Sequence, residues 1–219
     1  DRRDLQAPHR RVRAAGPGAR ADRPVPGDRA EPEDRQRRPR LPARRESRAA
    51  GGPPGGLAID AHTESFVKAF SAHLLCNQIL VQALVPGMRK AGYGRVINVI
   101  STSVKIPIPG LGVSNTIRGA VANWAKTLSL ELGPYGITVN NVLPGATATD
   151  RLEEIIRQKA EKSGRSFDKV KEEMVSEIPV GRLASPQEVA AAAAFLATPA
   201  AAYINGINVP VDGGRTGSL

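Results

Sequence analysis

An α/β fold, with a parallel sheet wound on both faces by helices, is the class predicted for residues 51–219. Two patterns predict it. Helical and strand-like segments alternate along the chain, as they do in parallel sheets connected through helices. The strand-like runs are also apolar and β-branched without alternation, which is how strands buried on both faces read. The alternation starts only near Gly51. Residues 1–50 hold four large apolar side chains, Leu5, Val12, Val25 and Leu41, and no patterning.

The elements follow in order. From Thr63 to Arg89, Phe66, Val67, Phe70, Leu74, Leu75, Ile79, Leu80, Ala83, Leu84 and Met88 recur at helical spacing over a wide face, which predicts a core helix. Gly92-Tyr93-Gly94 stops it, and Arg95 to Ser101 is the first buried strand. Pro107, Pro109, Gly110 and Gly112 mark a loop. Ser114 to Leu132 is a second amphipathic helix, closed by Gly133-Pro134. Ile137 to Leu143 is the next strand, and Pro144-Gly145 breaks it. Residues 150–177 form a charged helical region with no clean apolar stripe, interrupted by Gly164. Ser185-Pro186-Gln187-Glu188 combines a serine N-cap, a proline at the first helical position and a glutamate three residues after the cap. The alanine-rich stretch from Val189 to Ala197 reads as a buried helix, and Ile207 to Val211 as a last short strand before Asp212-Gly213-Gly214.

Composition narrows the function classes. The chain of 219 residues has a net charge of +10, but the charge is uneven. Residues 1–50 hold 15 Arg, no Lys and 8 acids, a net of +7, while the remaining 169 carry only +3. Such a segment cannot offset its ordering entropy by burial, so residues 1–50 are expected to be disordered. Three readings of it stand open. Arg, Ala, Pro and Gly dominate while Lys, Ile, Phe, Tyr, Asn and Met are absent, the composition of a GC-rich gene read out of frame. A chain beginning with Asp1 also fits a fragment. The others are a solvated native tail and a nucleic-acid arm; the arm is disfavoured by interspersed acids and the lack of aromatic residues to stack on bases. The single cysteine, Cys76, excludes an internal disulfide and fits a reducing, cytoplasmic compartment. No unbroken apolar run approaches the ~18 residues of a membrane span, so no membrane role is expected. His9, His62 and His73 share no metal-ligand spacing, so no metal is expected. Glu153-Glu154 and Glu172-Glu173 read as solvated helix faces.

In parallel sheets ligands collect outside the carboxyl ends of the strands, which points to Ser101 and to the threonine-rich turn after Pro144. The residues around both turns carry a family resemblance. Gly94-Arg95-Val96-Ile97-Asn98-Val99-Ile100-Ser101, Gly136 to Gly145, Thr149-Asp150, Pro179-Val180-Gly181-Arg182-Leu183, Pro186-Gln187-Glu188-Val189-Ala190 and Val211-Asp212-Gly213-Gly214 occur in an order and spacing that resembles the short-chain dehydrogenases/reductases. The likeness is greatest to their 3-oxoacyl-[acyl-carrier-protein] reductase-like branch.

The resemblance implies a Rossmann-like doubly wound sheet and NAD- or NADP-dependent reduction of a carbonyl. It makes Ser101 the holder of the substrate carbonyl. Where the family has a proton-donating Tyr and, four residues on, a Lys, this chain has Ser114 and Arg118. Both share one helix face, but an aliphatic hydroxyl is far less acidic than a phenol and Arg does not deprotonate. The Ser-Asn-x-x-Arg pattern resembles a divergent branch of the family. His73 aligns with an Asn of the preceding helix; it is expected to be a partly buried core histidine, with acid–base work the alternative. Pro144, Gly145, Thr147 and Thr149 are the implied cofactor wall, and Trp124 has an implied core or interface role. The family's Gly-x-x-x-Gly-x-Gly turn has no counterpart: no strand precedes Gly16-Pro17-Gly18, and only Arg48-Ala49-Ala50-Gly51 stands where Asn-Asn-Ala-Gly is expected. The N-terminal third therefore reads as missing or frameshifted, with weak or no dinucleotide binding. The implied partners are a small-molecule or acyl-carrier-bound carbonyl substrate, as in fatty acid metabolism, and further copies in a homodimer or homotetramer. A non-catalytic oligomerisation or binding protein that retains the helices is the competing class.

Overall fold

The structure, a computed structural model, describes residues 52–53 and 55–218, within the unit Arg48–Leu219. The expectations for residues 1–50 lie outside the described residues. Three strands, β1 (Gly94–Val99), β2 (Ile137–Pro144) and β3 (Asn208–Val211), form a parallel sheet in the order β1-β2-β3. Their register pairs Val99 with Val142 and Pro144 with Val211. All three carboxyl ends therefore lie along one edge of the sheet.

Alternate strand residues face opposite layers. On one face, Val96, Ile137, Val139 and Leu143 pack against the helices α2 (Cys76–Ala91) and α3 (Gly112–Leu132) through Val81, Val85, Met88, Val121, Ala122 and Ala125. On the other, Ile97, Val142, Val209 and Val211 meet α6 (Pro186–Leu196) through Val189, Ala192, Ala193 and Leu196. Both faces of the sheet are covered, as the unbroken apolar strands predicted. β2 is the central strand, and seven of its eight residues are buried.

A polar ladder crosses this sheet. Asn98, Asn141 and Asn208 lie side by side in register. Asn98 Nδ2 donates to Asn141 Oδ1 at 2.9 Å, and Asn141 Nδ2 donates to Asn208 Oδ1 at 2.8 Å. A one-residue slip of either strand would turn these amides to the opposite face and strand them without partners.

Three expectations are corrected. The helix over 63–91 is one rod of three parts, α1 (Thr63–Phe70), a π-helical segment Ser71–Leu75, and α2. Its wide apolar face is largely exposed: Val67 and Ile79 are each 65% accessible, and Leu80 and Leu84 are also open. It buries a narrower stripe, including Ala69, Leu74 and Val81, against α3 and β1. By length and composition the helix Thr63–Ala91 could cross a bilayer, which the lack of an unbroken apolar run did not predict; here it forms one layer on the sheet. Second, the region over 150–177 does have an apolar stripe. Helices α4 (Asp150–Ser163) and α5 (Phe167–Ser176) enclose a small core of Leu152, Ile156, Ala160, Phe167, Val170 and Met174. The charged majority masks its i, i+4, i+8 spacing. Third, the alanine-rich α6 is buried on one face only, because it is an outer layer. Its N-terminus forms as expected: Ser185 and Glu188 make a capping box with Pro186 at the first helical position.

Candidate active site

Both predicted turns sit at the carboxyl edge of the sheet, on neighbouring strands spaced by about 4.8 Å. After β1 the chain runs through Ile100, whose N–H donates to the Val142 carbonyl, to Ser101. Ser101 Oγ accepts from the Ser103 N–H at 3.1 Å and so caps the short 3-10 turn Thr102–Val104. That bond uses an acceptor lone pair and leaves the hydroxyl proton available to a substrate oxygen. The loop that follows is clamped to the start of α3. Asn115 Nδ2 donates to the Ile108 carbonyl at 2.9 Å, and its Oδ1 accepts from the Ile108 N–H at 3.4 Å. Sequence reasoning quoted Asn115 but gave it no role; an amide just inside a helix that follows a Pro/Gly loop was the available signal.

Helix α3 carries the next two residues. Ser114 lies in its first turn, half-buried, and makes no hydrogen bond among the described residues. One turn on, Arg118 reaches the end of β1, where Nη1 donates to the Val99 carbonyl at 3.4 Å. No carboxylate pairs with it among the described residues. Burial lowers the Arg118 pKa from its usual value, though a guanidinium stays charged at neutral pH. His73 lies in the π segment, a geometry frequent at functional sites. Burial first, and then the Arg118 charge, lower the pKa of its imidazole. Both effects favour the neutral ring at pH 7.

The second turn follows β2. Gly145 is locked to β3 by its N–H on the Val211 carbonyl at 3.0 Å, and a Cβ there would lie 2.6 Å from the Asp212 Cβ. Ala148 N–H donates to the Ala184 carbonyl at 2.8 Å. Between these anchors, the N–H groups of Ala146 and Thr147 make no backbone bond among the described residues. Thr147 Oγ1 donates to the Gly145 carbonyl, and Thr149 Oγ1 both donates to the Thr147 carbonyl and caps α4 by accepting from the Leu152 N–H. Pro144, Gly145, Thr147 and Thr149 thus form one ordered turn beside the Ser101 loop.

The Asp212 carboxylate ties down the adjoining β3 turn by accepting from Gly214 and Thr216 N–H groups. Burial alone would raise its pKa, but these bonds outweigh it and the net shift is downward. A recess of about 130 Å³ opens between the Thr102–Pro109 loop and Arg215-Thr216. Arg215 is ion-paired to Glu177, just after α5. Trp124 lies on α3; it packs against two core clusters and donates its indole N–H to Gln78 Oε1 at 2.8 Å.

Comparison with known proteins agrees with this fold. Residues 47–216 match the family model described as "Enoyl-(Acyl carrier protein) reductase". The chain is 41% identical over 130 residues to the short-chain reductase protein NovJ of Streptomyces niveus, covering 58% of this chain and 47% of NovJ. It is 36% identical over 132 residues to the NADPH-dependent reductase BacG of Bacillus subtilis, covering 60% and 51%. The crystal structure of L-sorbose reductase from Gluconobacter frateurii, complexed with NADPH and L-sorbose, superposes with a TM-score of 0.72 at 28% identity, covering 77% of this chain and 65% of that one. The chain thus spans about half the length of these curated relatives. The ordered motifs, the parallel sheet and the family match agree: the chain belongs to the short-chain dehydrogenase/reductase family.

Proposed function

We propose that the chain serves an NAD(P)-dependent oxidoreductase that reduces a ketone of the 3-oxoacyl type by hydride transfer. One observation supports this reading: Arg118, one turn after Ser114 on α3, donates to the Val99 carbonyl at the end of β1, two residues before Ser101, and the Pro144–Thr149 turn ends the next strand. The open N–H groups of Ala146 and Thr147 and the Thr149 hydroxyl fit the carboxamide of a nicotinamide, which needs both donors and acceptors. When bound, NADPH or NADH supplies the hydride. Ser101 donates its hydroxyl proton in a hydrogen bond to the substrate carbonyl, polarising it and stabilising the developing oxyanion. Arg118 adds a fixed positive charge beside that oxygen. Ser114, or a water it holds, delivers the final proton in place of a phenol.

The 219-residue chain is proposed to bind dinucleotide weakly, because no glycine-rich turn for the pyrophosphate occurs among its described residues. Copies associate as a dimer or tetramer in this reading, and the protein works in the cytoplasm. The competing reading, a non-catalytic assembly partner, draws on the replaced Tyr and Lys. A titration with NADPH, followed by Trp124 fluorescence, and an assay of NADPH oxidation with an acetoacetyl thioester separate them. Weak, saturable binding with slow ketone-dependent oxidation supports the proposal. Absence of both favours the assembly partner, and tight binding contradicts the weakened cofactor site.

A further inference from the structure

The outer edge of β1 carries a groove. The Gly94 and Ile100 N–H groups donate to the Gly136 and Val142 carbonyls, towards β2. Hydrogen bonding alternates in direction along a parallel strand, so the N–H and C=O groups of Arg95, Ile97 and Val99 face the other way. Among the described residues only the Val99 carbonyl finds a partner there, Arg118 Nη1 at 3.4 Å. Beside these groups lies a groove of about 180 Å³. Leu80, Leu84 and Met88 of α2 line one side of it, and Val96 to Asn98 of β1 the other. Leu80 and Leu84 are 53% and 55% exposed. Asn98 is buried and donates its Nδ2 to Asn141, while its Oδ1 receives only a long bond from Asn77 at 3.5 Å. The asparagine ladder therefore ends at the groove on an acceptor.

Charge selects what fits there. From Ser65 to Leu130, which takes in α2, β1 and most of α1 and α3, the chain has seven Lys and Arg and no Asp or Glu. None of the seven meets a carboxylate among the described residues. At the amino end of β1, Arg89 and Arg95 lie over the rings of Tyr135 and Tyr93, at 4.0 and 4.2 Å. The Arg95 Nε is buried without an acceptor. A second copy would set these cations against their own kind, and residues 1–50 carry a net +7. Opposed like charges weaken strand pairing, whereas opposite charges support it.

We propose that the β1 edge is a docking site for an extended, acidic segment of another polypeptide, which adds to the sheet as a fourth strand. Its backbone pairs with Arg95, Ile97 and Val99. Its apolar side chains fill the groove against Leu80 and Leu84, and a hydroxyl or amide donor meets Asn98 Oδ1. Its carboxylates lie near Arg89, Lys90 and Arg95. The six residues of β1 set the length of the segment, about 20 Å. Without that segment, copies of the chain share the same apolar surface, and the acidic strand displaces them. The inference stands apart from the reductase reading, since it uses the side of the sheet and not its carboxyl edge.

The probe is a short, fluorescently labelled peptide of alternating valine and threonine, blocked at both termini, with an aspartate at each end. Its anisotropy is followed on titration with the full 219-residue chain. Two analogues are compared, one with lysines in place of the aspartates and one N-methylated at every amide, which cannot pair as a strand. The aspartate peptide is expected to bind at least tenfold more tightly than either. Leu84→Glu, in the groove, should weaken it at least tenfold, while Leu130→Glu, an exposed site on α3 outside the groove, should leave it unchanged. Equal affinity for the lysine peptide removes the acidic partner, and equal affinity for the N-methylated peptide removes strand addition. Either result in the unaltered chain overturns the proposal, whether or not the variants fold. Binding to phosphatidylserine vesicles without binding of the aspartate peptide also overturns it, by assigning the cations to a lipid surface.

Discussion

At the residue scale, the site is defined by what each hydroxyl and cation has left to offer. Ser101 spends a lone pair on Ser103 and keeps its proton, whereas Arg118 keeps nearly all its donors. The family resemblance pointed to Ser101, Ser114 and Arg118, but His73 shows where sequence reading stopped. It was expected as a partly buried histidine, and it is one; what the sequence did not disclose is the π segment around it and the proximity of Arg118. Its lowered pKa has a consequence for stability. The unfolded chain takes up a proton near the ordinary imidazole value of 6.5 that the folded chain resists, so stability should fall as pH drops through that value and level off below the folded pKa. Urea unfolding between pH 7.5 and roughly pH 5 should show this slope, and His73→Gln should flatten it. Glu188 acts lower on the scale. The hydrogen bond from Arg182, then that from the Ser185 N–H, bring its pKa from 4.5 to about 2. Its contribution is fully present above pH 4.5 and is lost as pH falls towards 2.

At the scale of elements, the caps and strands were legible and the burial of helices was not. Ser185-Pro186-Gln187-Glu188 specifies a helix start with local chemistry alone, and the capping box is present. Ser185→Ala should therefore cost about 1 kcal/mol in denaturant unfolding. The apolar β-branched runs needed no tertiary knowledge to read as parallel strands. By contrast, the apolar residues recurring from Phe66 to Met88 fix a helix but not which side is covered, since that depends on which layers surround it. The stripe of α4 and α5 was missed because eight of the fourteen residues of α4 are charged, and composition drowned the spacing. The asparagine ladder could not be seen before register was known. Asn141 is 3% exposed at its centre, and Asn141→Val would leave the buried Asn98 amide without its acceptor. The expected loss is about 1–3 kcal/mol, read from chemical denaturation. Gly136 is a second fixed point. Its φ of +72° is left-handed, and an added Cβ would meet the Gly92 carbonyl oxygen. Gly136→Ala should destabilise by more than the 1–3 kcal/mol of a left-handed residue alone.

At the scale of the whole molecule, the sheet is covered on its faces but open at its side. β1 pairs with β2 only, among the described residues, and the helix beside it exposes Val67, Ile79, Leu80 and Leu84. Unpaired strand edges and contiguous apolar surface both favour association. The chain is therefore expected to elute well above its 23.2 kDa monomer mass in light-scattering chromatography, and Leu80→Glu combined with Leu84→Glu should shift it towards the monomer. The carboxyl edge is the other asymmetry. Three parallel strands, an ordered threonine turn and an α3 anchored by Asn115 build that edge, and the proposed reductase reading depends on Ser101 and Arg118 serving one carbonyl there. Ketone-dependent NADPH oxidation, compared between the unaltered chain and Ser101→Ala, tests it most directly. The account predicts that the substitution slows turnover by about 10²–10³, while the loss of the Ser103 cap lowers the melting temperature by only about 2–4 °C. Equal turnover by the two proteins would contradict it.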